Sequence, residues 1–495
     1  MILTSLIERP ERGLIALIAA QIIFWTLAPA LSHTAPPLDV VEMYAWGREW
    51  VVATFKHPNL PGLVLEPLRD LFGGPGWIAY IVSQVFIATT FWAVFALGRD
   101  QMDSQRALAG TLMLTGVYFF SWVTPEFNHN VAQMPLWALT MLFLWRATTN
   151  GKWLDWILLG VFGGLSLWAK YSSGILLVVA AAWILWDAQA RKRILTPGPW
   201  LALIGFALTI APQVLWLMEH EYGPFAYAAR RASSGEWYAS IEFLLTLVLD
   251  HLPMIILIAC AGWFGKPAPD APAKPDQRAL RFLLLLGLGP AVLLAFGAAA
   301  SGANLRSSWG APMVVLSGLI VVALMNNKFT AARLKGLIIG AGVLIVVVSG
   351  LYYGHMRYGV AITGKPLRGN WPQEEISRQL EAEWRQATNL PLRIVAGDIW
   401  AAGLVGFNDR NPPSVLIEGD YSKSPWIMPE DVALHGALIV WSGDEADTLP
   451  AFRQGLEVHE LHVRSPYANP SNAQDIVVYY AIRPPIPNYA PPSVP

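Results

Sequence analysis

In the stretch PPLDVVEMYAWGREW (36–50), Asp39 and Glu42 stand three residues apart among Tyr44, Trp46 and Trp50. At that spacing two carboxylates share one face of a helix. A carboxylate set against a hydroxyl can take its proton as a general base. The same acids also fit a plainer role. Asp39 follows Pro-Pro-Leu and Glu42 comes three residues later, the pattern of a helix N-cap with a capping box. The two roles are compatible, and the sequence leaves both open. KHPNLPG (56–62) comes next; Pro58 and Pro61 end the helix and hold Lys56 and His57 in a rigid turn.

Further polar stretches punctuate the chain. TPEFNHN (124–130) offers Glu126, Asn128 and His129 in a tight turn, which could equally be a helix-capping loop. AKYSSG (169–174) places Lys170 at the end of an apolar run, where a snorkelling lysine is the plain explanation. EHEYGPFAYAARRASSGEWYAS (219–240) carries the adjacent pair Arg230 and Arg231, and SGANLRSSWGAPM (301–313) carries Arg306 beside Trp309. Arginine suits phosphate oxygens, while Arg306 with Trp309 also suits interfacial anchoring. Together these residues describe a cavity with a few acids, several cations and many aromatics. A lipid phosphate donor would use all three: cations for its phosphate, an apolar surround for its tail, and a carboxylate for the acceptor hydroxyl.

The elements that must position this set are membrane helices. Of 495 residues, 54% are hydrophobic and only 14% charged, too few charges for a soluble surface. The net charge of −1 excludes a strong field for nucleic acid. The one cysteine, Cys260, excludes an intramolecular disulfide, and the 23 tryptophans suit interfacial belts. Apolar runs predict about eleven spans, at 13–31, 77–97, 106–123, 131–147, 154–169, 173–187, 199–218, 240–263, 281–299, 311–326 and 335–353. The two short segments meeting at WAKYSSG are read as separate spans rather than one broken helix. The arginine-bearing N-terminus resembles a signal peptide but is read as a retained first helix.

Basic residues gather on alternate loops, which are then cytoplasmic. The motifs above fall on the opposite, periplasmic face of a bacterial inner membrane, with the N-terminus cytoplasmic. GKPAPDAPAKPDQRA (265–279) reads as a flexible cytoplasmic loop. Residues 1–353 form the expected transmembrane module. Residues 354–495 lose the apolar runs and read as a small α/β domain outside the membrane. Its helix lies in NWPQEEISRQLEAEWRQATN, its strands in LRIVAG, ALIVWS and DIVVYYAI, and a turn into a further helix in GDEADTLPAFRQG.

LDVVEMYAWGREW followed by KHPNLPG resembles the first extracytoplasmic loop of glycosyltransferase family 39 and its relatives in the GT-C superfamily. These include dolichyl-phosphate-mannose–protein mannosyltransferases and bacterial lipid A aminoarabinose transferases. Members carry an acid, often Asp-Glu, just after the first span, and then a Lys- or His-Pro-Pro-Leu turn. Asp39 matches the acid and KHPNLPG the turn; the likeness extends over 1–353. It departs in two places: Val40 follows Asp39, with the second acid displaced to Glu42, and PEFNHN stands where many relatives have an Asp. There Glu126, Asn128 or His129 would have to substitute.

The resemblance implies a polytopic α-helical GT-C fold and an inverting transfer of a sugar from a polyprenyl-phosphate donor. The acceptor would be lipid A, lipopolysaccharide core, another glycan or a protein. Asp39 would be the base, and Glu42 a metal holder, an acceptor-positioning group or part of the cap. Lys56, His57, Lys170, Arg230, Arg231 and Arg306 would bind the donor phosphate or an acidic sugar. No cofactor is implied with certainty; a divalent cation, Mg or Mn, is left open, because Glu126 with His129 is too small a set to define a metal site. A transporter or flippase of lipid-linked sugars is the first rival, but it would place charges near the bilayer midplane and show paired halves. A non-catalytic envelope scaffold is the second, and it would not need the Asp39 cluster.

Overall fold

Apolar stretches without internal partners for their backbone in lipid must become helices. In the computed structural model, which describes residues 2–232, 236, 238–266, 276–443 and 452–487, they do. Among the described residues six helices are long and apolar enough to cross a membrane: Pro10–Ser32, Ile78–Gln101, Pro197–Glu219, Ala239–Cys260, Gln277–Ser301 and Ala331–Thr363. A bent pair, Ser307–Val314 with Ser317–Leu324, makes a seventh if taken as one span. The other expected segments are also helical but shorter or more polar. Trp153–Ala169 and Tyr171–Trp186 are short apolar helices, His129–Asn150 carries polar residues at its start, and the run after Ser104–Met113 breaks into 3-10 turns. The last long helix continues ten residues beyond the expected end, to Thr363.

The chain divides into two units. One comprises Met1–Leu27, Lys56–Leu60 and Ile81–Gly350; the other comprises Ala28–Phe55, Pro61–Tyr80 and Leu351–Pro495. Most of the long loop after the first helix therefore belongs with the C-terminal residues, whereas the short turn holding Lys56 and His57 belongs with the helices.

In the helical unit, close packing sets where Lys170 emerges. The Trp153–Ala169 helix lies against Pro197–Glu219 through a stripe of small residues. A Cβ added to Gly160 would stand 2.0 Å from the Ala202 carbonyl, and one on Gly164 would stand 2.7 Å from Thr209. Small residues at such a spacing let membrane helices approach backbone to backbone. Trp168 Nε1 then donates to the Thr209 carbonyl at 2.8 Å. Directly afterwards Lys170 turns to extended backbone, and the 3-10 turn Tyr171–Ser173 leads into the next helix, so the chain breaks there into two helices.

The other unit is built on a five-stranded sheet in the order β2-β1-β3-β5-β4, where β1 is Ile394–Gly397, β2 Ser414–Ile417, β3 Ala437–Ser442, β4 His459–Val463 and β5 Ile476–Arg483. β1, β2 and β3 run parallel and are buried, as continuous apolar runs such as ALIVW require; β5 pairs antiparallel with both β3 and β4. The expected Gln373–Thr388 helix and three strands are present, and β2 and β4 are additional. Most of GDEADTLPAFRQG and of the 265–279 loop lies outside the described residues.

Within this unit the Leu38–Gly47 helix packs on the Ile399–Leu404 helix. Gly403 is required there, since a Cβ would stand 2.3 Å from Val41 Cγ1, and the Tyr44 ring meets Phe407 edge-on at 5.5 Å. The start of that helix corrects one reading of the acids. Pro37, not Asp39, is the N-cap, and Asp39 lies inside the first turn. The pre-set φ of Pro37 suits the extended cap position, and the helix begins at Leu38 without a side-chain cap.

Candidate active site

In the helical unit the structure gathers four of the expected residues. Asn128 caps the His129–Asn150 helix, its Oδ1 accepting from the N–H of Asn130 at 2.9 Å and of Val131 at 3.1 Å. That cap fixes His129 at the first helical position, where it is buried and hydrogen-bonds through Nε2 to the Pro58 carbonyl at 2.9 Å. The bond ties the KHPN turn to this helix, and the His57 and His129 rings come to 4.5 Å. Lys170, also buried, donates from Nζ to Asn130 Oδ1 at 2.7 Å and stands 5.3 Å from the centre of the Trp309 ring.

The electrostatics of the cluster follow from this crowding. Burial holds the His57 imidazole well below its ordinary pKa, and the positive charges near it, including Lys170 and Lys56, push in the same direction. His57 is therefore neutral at neutral pH, beside two lysines. A set of ammonium groups and neutral imidazoles, with an aromatic face alongside, is suited to a phosphate carried on an apolar chain.

Supporting groups were not apparent in the sequence. Gln133, fully buried one turn along from His129, donates to Ser173 Oγ at 2.7 Å and to Ser172 Oγ at 3.2 Å. Trp137 Nε1 also donates to Ser173 Oγ, at 2.9 Å, and Ser173 Oγ donates back to the Ser166 carbonyl at 2.8 Å. These bonds lock the turn behind Lys170. The available signal was a glutamine inside an apolar helix, where an amide must find partners. Tyr171 donates to Gln213 Oε1 at 2.8 Å and stacks on Phe225, linking the same turn to the Gly223–Ala232 helix. That helix carries Arg230, which is exposed; the side chain of Arg231 lies outside the described residues. Arg306 is likewise exposed, at the start of the 3-10 turn that brings in Trp309. Glu126 is half-buried.

The acids Asp39 and Glu42 belong to the other unit. Asp39 is half-buried and Glu42 buried, on a helix otherwise packed through Val40, Val41, Met43, Tyr44 and Trp46. Behind that helix lies a second ionic group. Arg69 forms an ion pair with Glu66 at 3.7 Å, donates to the Asp409 carbonyl and lies 5.8 Å from the centre of the Tyr44 ring. Burial raises the carboxyl pKa of Glu66 against the opposing pull of Arg69. The pair anchors the Leu60–Phe72 helix beneath Tyr44.

His33, just past the first long helix, hydrogen-bonds to the Tyr80 hydroxyl through Nδ1 at 2.9 Å and to the Tyr352 hydroxyl through Nε2 at 2.8 Å. Burial lowers its pKa from 6.5 to about 4. Neutral imidazole offers one donor and one acceptor, so one tyrosine accepts from the ring and the other donates to it. Because the folded pKa is the lower one, the unfolded chain binds more protons between pH 6.5 and about 4. Stability is then lost as pH falls through that window, by up to about 3 kcal/mol. Thermal unfolding of the detergent-solubilised protein from pH 7.5 to 4.5 should show this slope, and His33→Gln should flatten it; identical slopes would exclude His33 as the cause.

Among the described residues no group of three or more His, Cys, Asp or Glu is placed to hold a metal ion. Among those residues Glu126 and His129 are not joined by a third His, Cys, Asp or Glu.

Comparison with known proteins agrees with this architecture. The family model of dolichyl-phosphate-mannose-protein mannosyltransferase matches residues 56–216, the stretch that runs from the KHPN turn past Lys170. The lipopolysaccharide core galacturonosyltransferase RgtA of Rhizobium johnstonii is 25% identical over 389 residues, 74% of this chain and 73% of that protein. RgtB of the same organism, described by the same activity, is 25% identical over 328 residues, 64% of this chain and 63% of that one. In fold, the chain is similar to ArnT from Cupriavidus metallidurans, solved bound to undecaprenyl phosphate. The TM-score is 0.62 at 12% identity, covering 94% of this chain and 97% of that one; the apo form gives 0.61 at 14%. With the helical module, the sheet domain and these likenesses together, the chain is a multi-pass membrane glycosyltransferase whose fold resembles that of ArnT.

Proposed function

We propose that the enzyme moves a sugar from a polyprenyl-phosphate donor to a lipopolysaccharide core or related envelope glycan, on the periplasmic face of a bacterial inner membrane. The observation that carries this reading is the convergence of His57, His129 and Lys170 next to Lys56. Such a set suits a lipid phosphate, and a structural relative was solved with undecaprenyl phosphate bound. The acceptor class is suggested by the two relatives named for lipopolysaccharide core.

In this reading Asp39 takes the proton of the acceptor hydroxyl as its oxygen bonds to the anomeric carbon. The bond from that carbon to the phosphate oxygen breaks on the opposite face, which inverts the configuration. Polyprenyl phosphate leaves with one more negative charge, offset by the ammonium groups of Lys56 and Lys170. Arg230, Arg231 and Arg306 are assigned to the approach of an anionic donor, and Glu42 to holding the acceptor beside Asp39. The N-terminus would be cytoplasmic and the sheet domain periplasmic.

The test is reconstitution into proteoliposomes with labelled undecaprenyl-phosphate sugars, galacturonic acid among them, and lipopolysaccharide core as acceptor. Label is expected on the acceptor, with one polyprenyl phosphate released per sugar transferred. Labelled lipid crossing the bilayer, with no sugar transferred from any donor, would overturn the proposal in favour of a flippase.

A further inference from the structure

A cavity of about 780 Å³ opens within the sheet-bearing unit, lined in part by Thr34, Trp77, Gln373, Glu374, Arg378 and Asn408. We infer that this cavity is a carbohydrate subsite, which holds a short run of pyranose rings of the acceptor beside the helix that carries Asp39. The inference rests on the glycosyl-transfer reading above and deepens it.

Size, lining and place in the chain support it. The volume falls within the roughly 300–1,000 Å³ of small-ligand sites. Trp77 is 50% exposed, unusual for a large apolar side chain on a cavity wall. A pyranose has one face of C–H bonds, which packs on an indole ring, and a rim of hydroxyls that both donate and accept. The polar part of the lining answers that rim. Gln373 is buried and held by its Nε2 bond to the Leu404 carbonyl at 2.9 Å. Its Oε1 accepts from Asn408 Nδ2 at 2.9 Å, which also reaches Glu374 Oε1 at 3.4 Å. This pre-set row of amide and carboxylate, with the exposed Arg378 one turn along the same helix, presents donors and acceptors together.

Mixed charge argues against other ligand classes. Glu374 and Glu375 beside a single arginine would repel a phosphate-rich ligand. Finally, Pro36 lines the cavity and the Leu38–Gly47 helix starts immediately after Pro37. A glycan seated here lies close along the chain to the carboxylate proposed as its base.

The experiment measures binding of delipidated core oligosaccharide to the full-length protein in lipid nanodiscs, by saturation-transfer NMR and titration. Saturable binding is expected, weakened about tenfold or more in Trp77→Ala, as for truncation of an aromatic anchor. Glu374→Gln should weaken it less, while Met428→Ala, exposed elsewhere in the unit, should bind like the wild type. The half-exposed Trp77 can be truncated without opening the core. Absence of oligosaccharide binding, binding equal in Trp77→Ala and Glu374→Gln, or binding only of a serine-rich acceptor peptide would each overturn the subsite. Because binding needs no donor, the two readings separate. Binding through Trp77 without sugar transfer keeps the subsite and sinks the transfer reading; transfer with an unchanged acceptor KM in Trp77→Ala sinks the subsite alone.

Discussion

Asp39→Asn is expected to lower the rate of sugar transfer about 10²–10⁴-fold, the usual contribution of a positioned general base. The structure makes this substitution a clean one. Asn keeps the shape of the side chain and removes only its charge and proton affinity. Pro37 is the N-cap, so no side-chain cap is lost. One contribution that is lost is the favourable placement of a negative charge in the first helical turn, worth roughly 0.3–1 kcal/mol. The unfolding temperature should thus change little while kcat collapses and the KM for the donor stays near the wild-type value. Measured side by side in proteoliposomes, full activity of Asp39→Asn would remove the base assignment. A large fall in unfolding temperature matching the loss of activity would make Asp39 a structural residue instead.

Lys170→Met is expected to cost about 10²–10³-fold in kcat, the effect of deleting one preorganised group that meets charge as it develops. Two plainer accounts of Lys170 make opposite predictions. A snorkelling lysine would lose nothing in transfer. A lysine that holds the fold through its 2.7 Å bond to Asn130 would lower the unfolding temperature on replacement. Burying an ammonium is costly, so methionine of similar length at this buried site should leave stability unchanged or raise it. Lys170→Arg should restore only part of the activity, since a forked guanidinium cannot take the same place between Asn130 and the Trp309 ring. Single-turnover transfer together with thermal unfolding separates the three accounts.

The membrane class, the sheet domain and several of the clustering residues were legible because hydropathy and local turn chemistry carry them. KHPN announced a bend, and FNHN, read as a turn or a helix-capping loop, is the cap of the His129–Asn150 helix. The 4.5 Å meeting of His57 and His129 was not legible, because nothing local links two turns separated by two expected spans. The cap was misplaced by two positions for a related reason. Asp with Glu three residues on satisfies the capping pattern, but a proline before Leu38 already supplied the extended dihedrals that begin the helix. Gln133 and His33 were passed over as isolated polar residues near apolar runs, though each has partners far away in sequence. Strand β4, HELHV, carries no apolar run or clean alternation because most of its residues are polar and exposed.

The order of strands in the sheet has a consequence for biosynthesis. β5, the last strand in the chain, lies inside the sheet between β3 and β4. The Leu38–Gly47 helix, made early, packs on Ile399–Leu404 after the whole run of membrane helices. A nascent chain therefore cannot complete the packing of the Leu38–Gly47 helix until residues 399–404 have been made, since contacts so distant in sequence form late. An interrupted or prematurely released chain would form its helices yet lack the finished sheet-bearing unit. The sheet-bearing unit is thus complete only once β5 has been made.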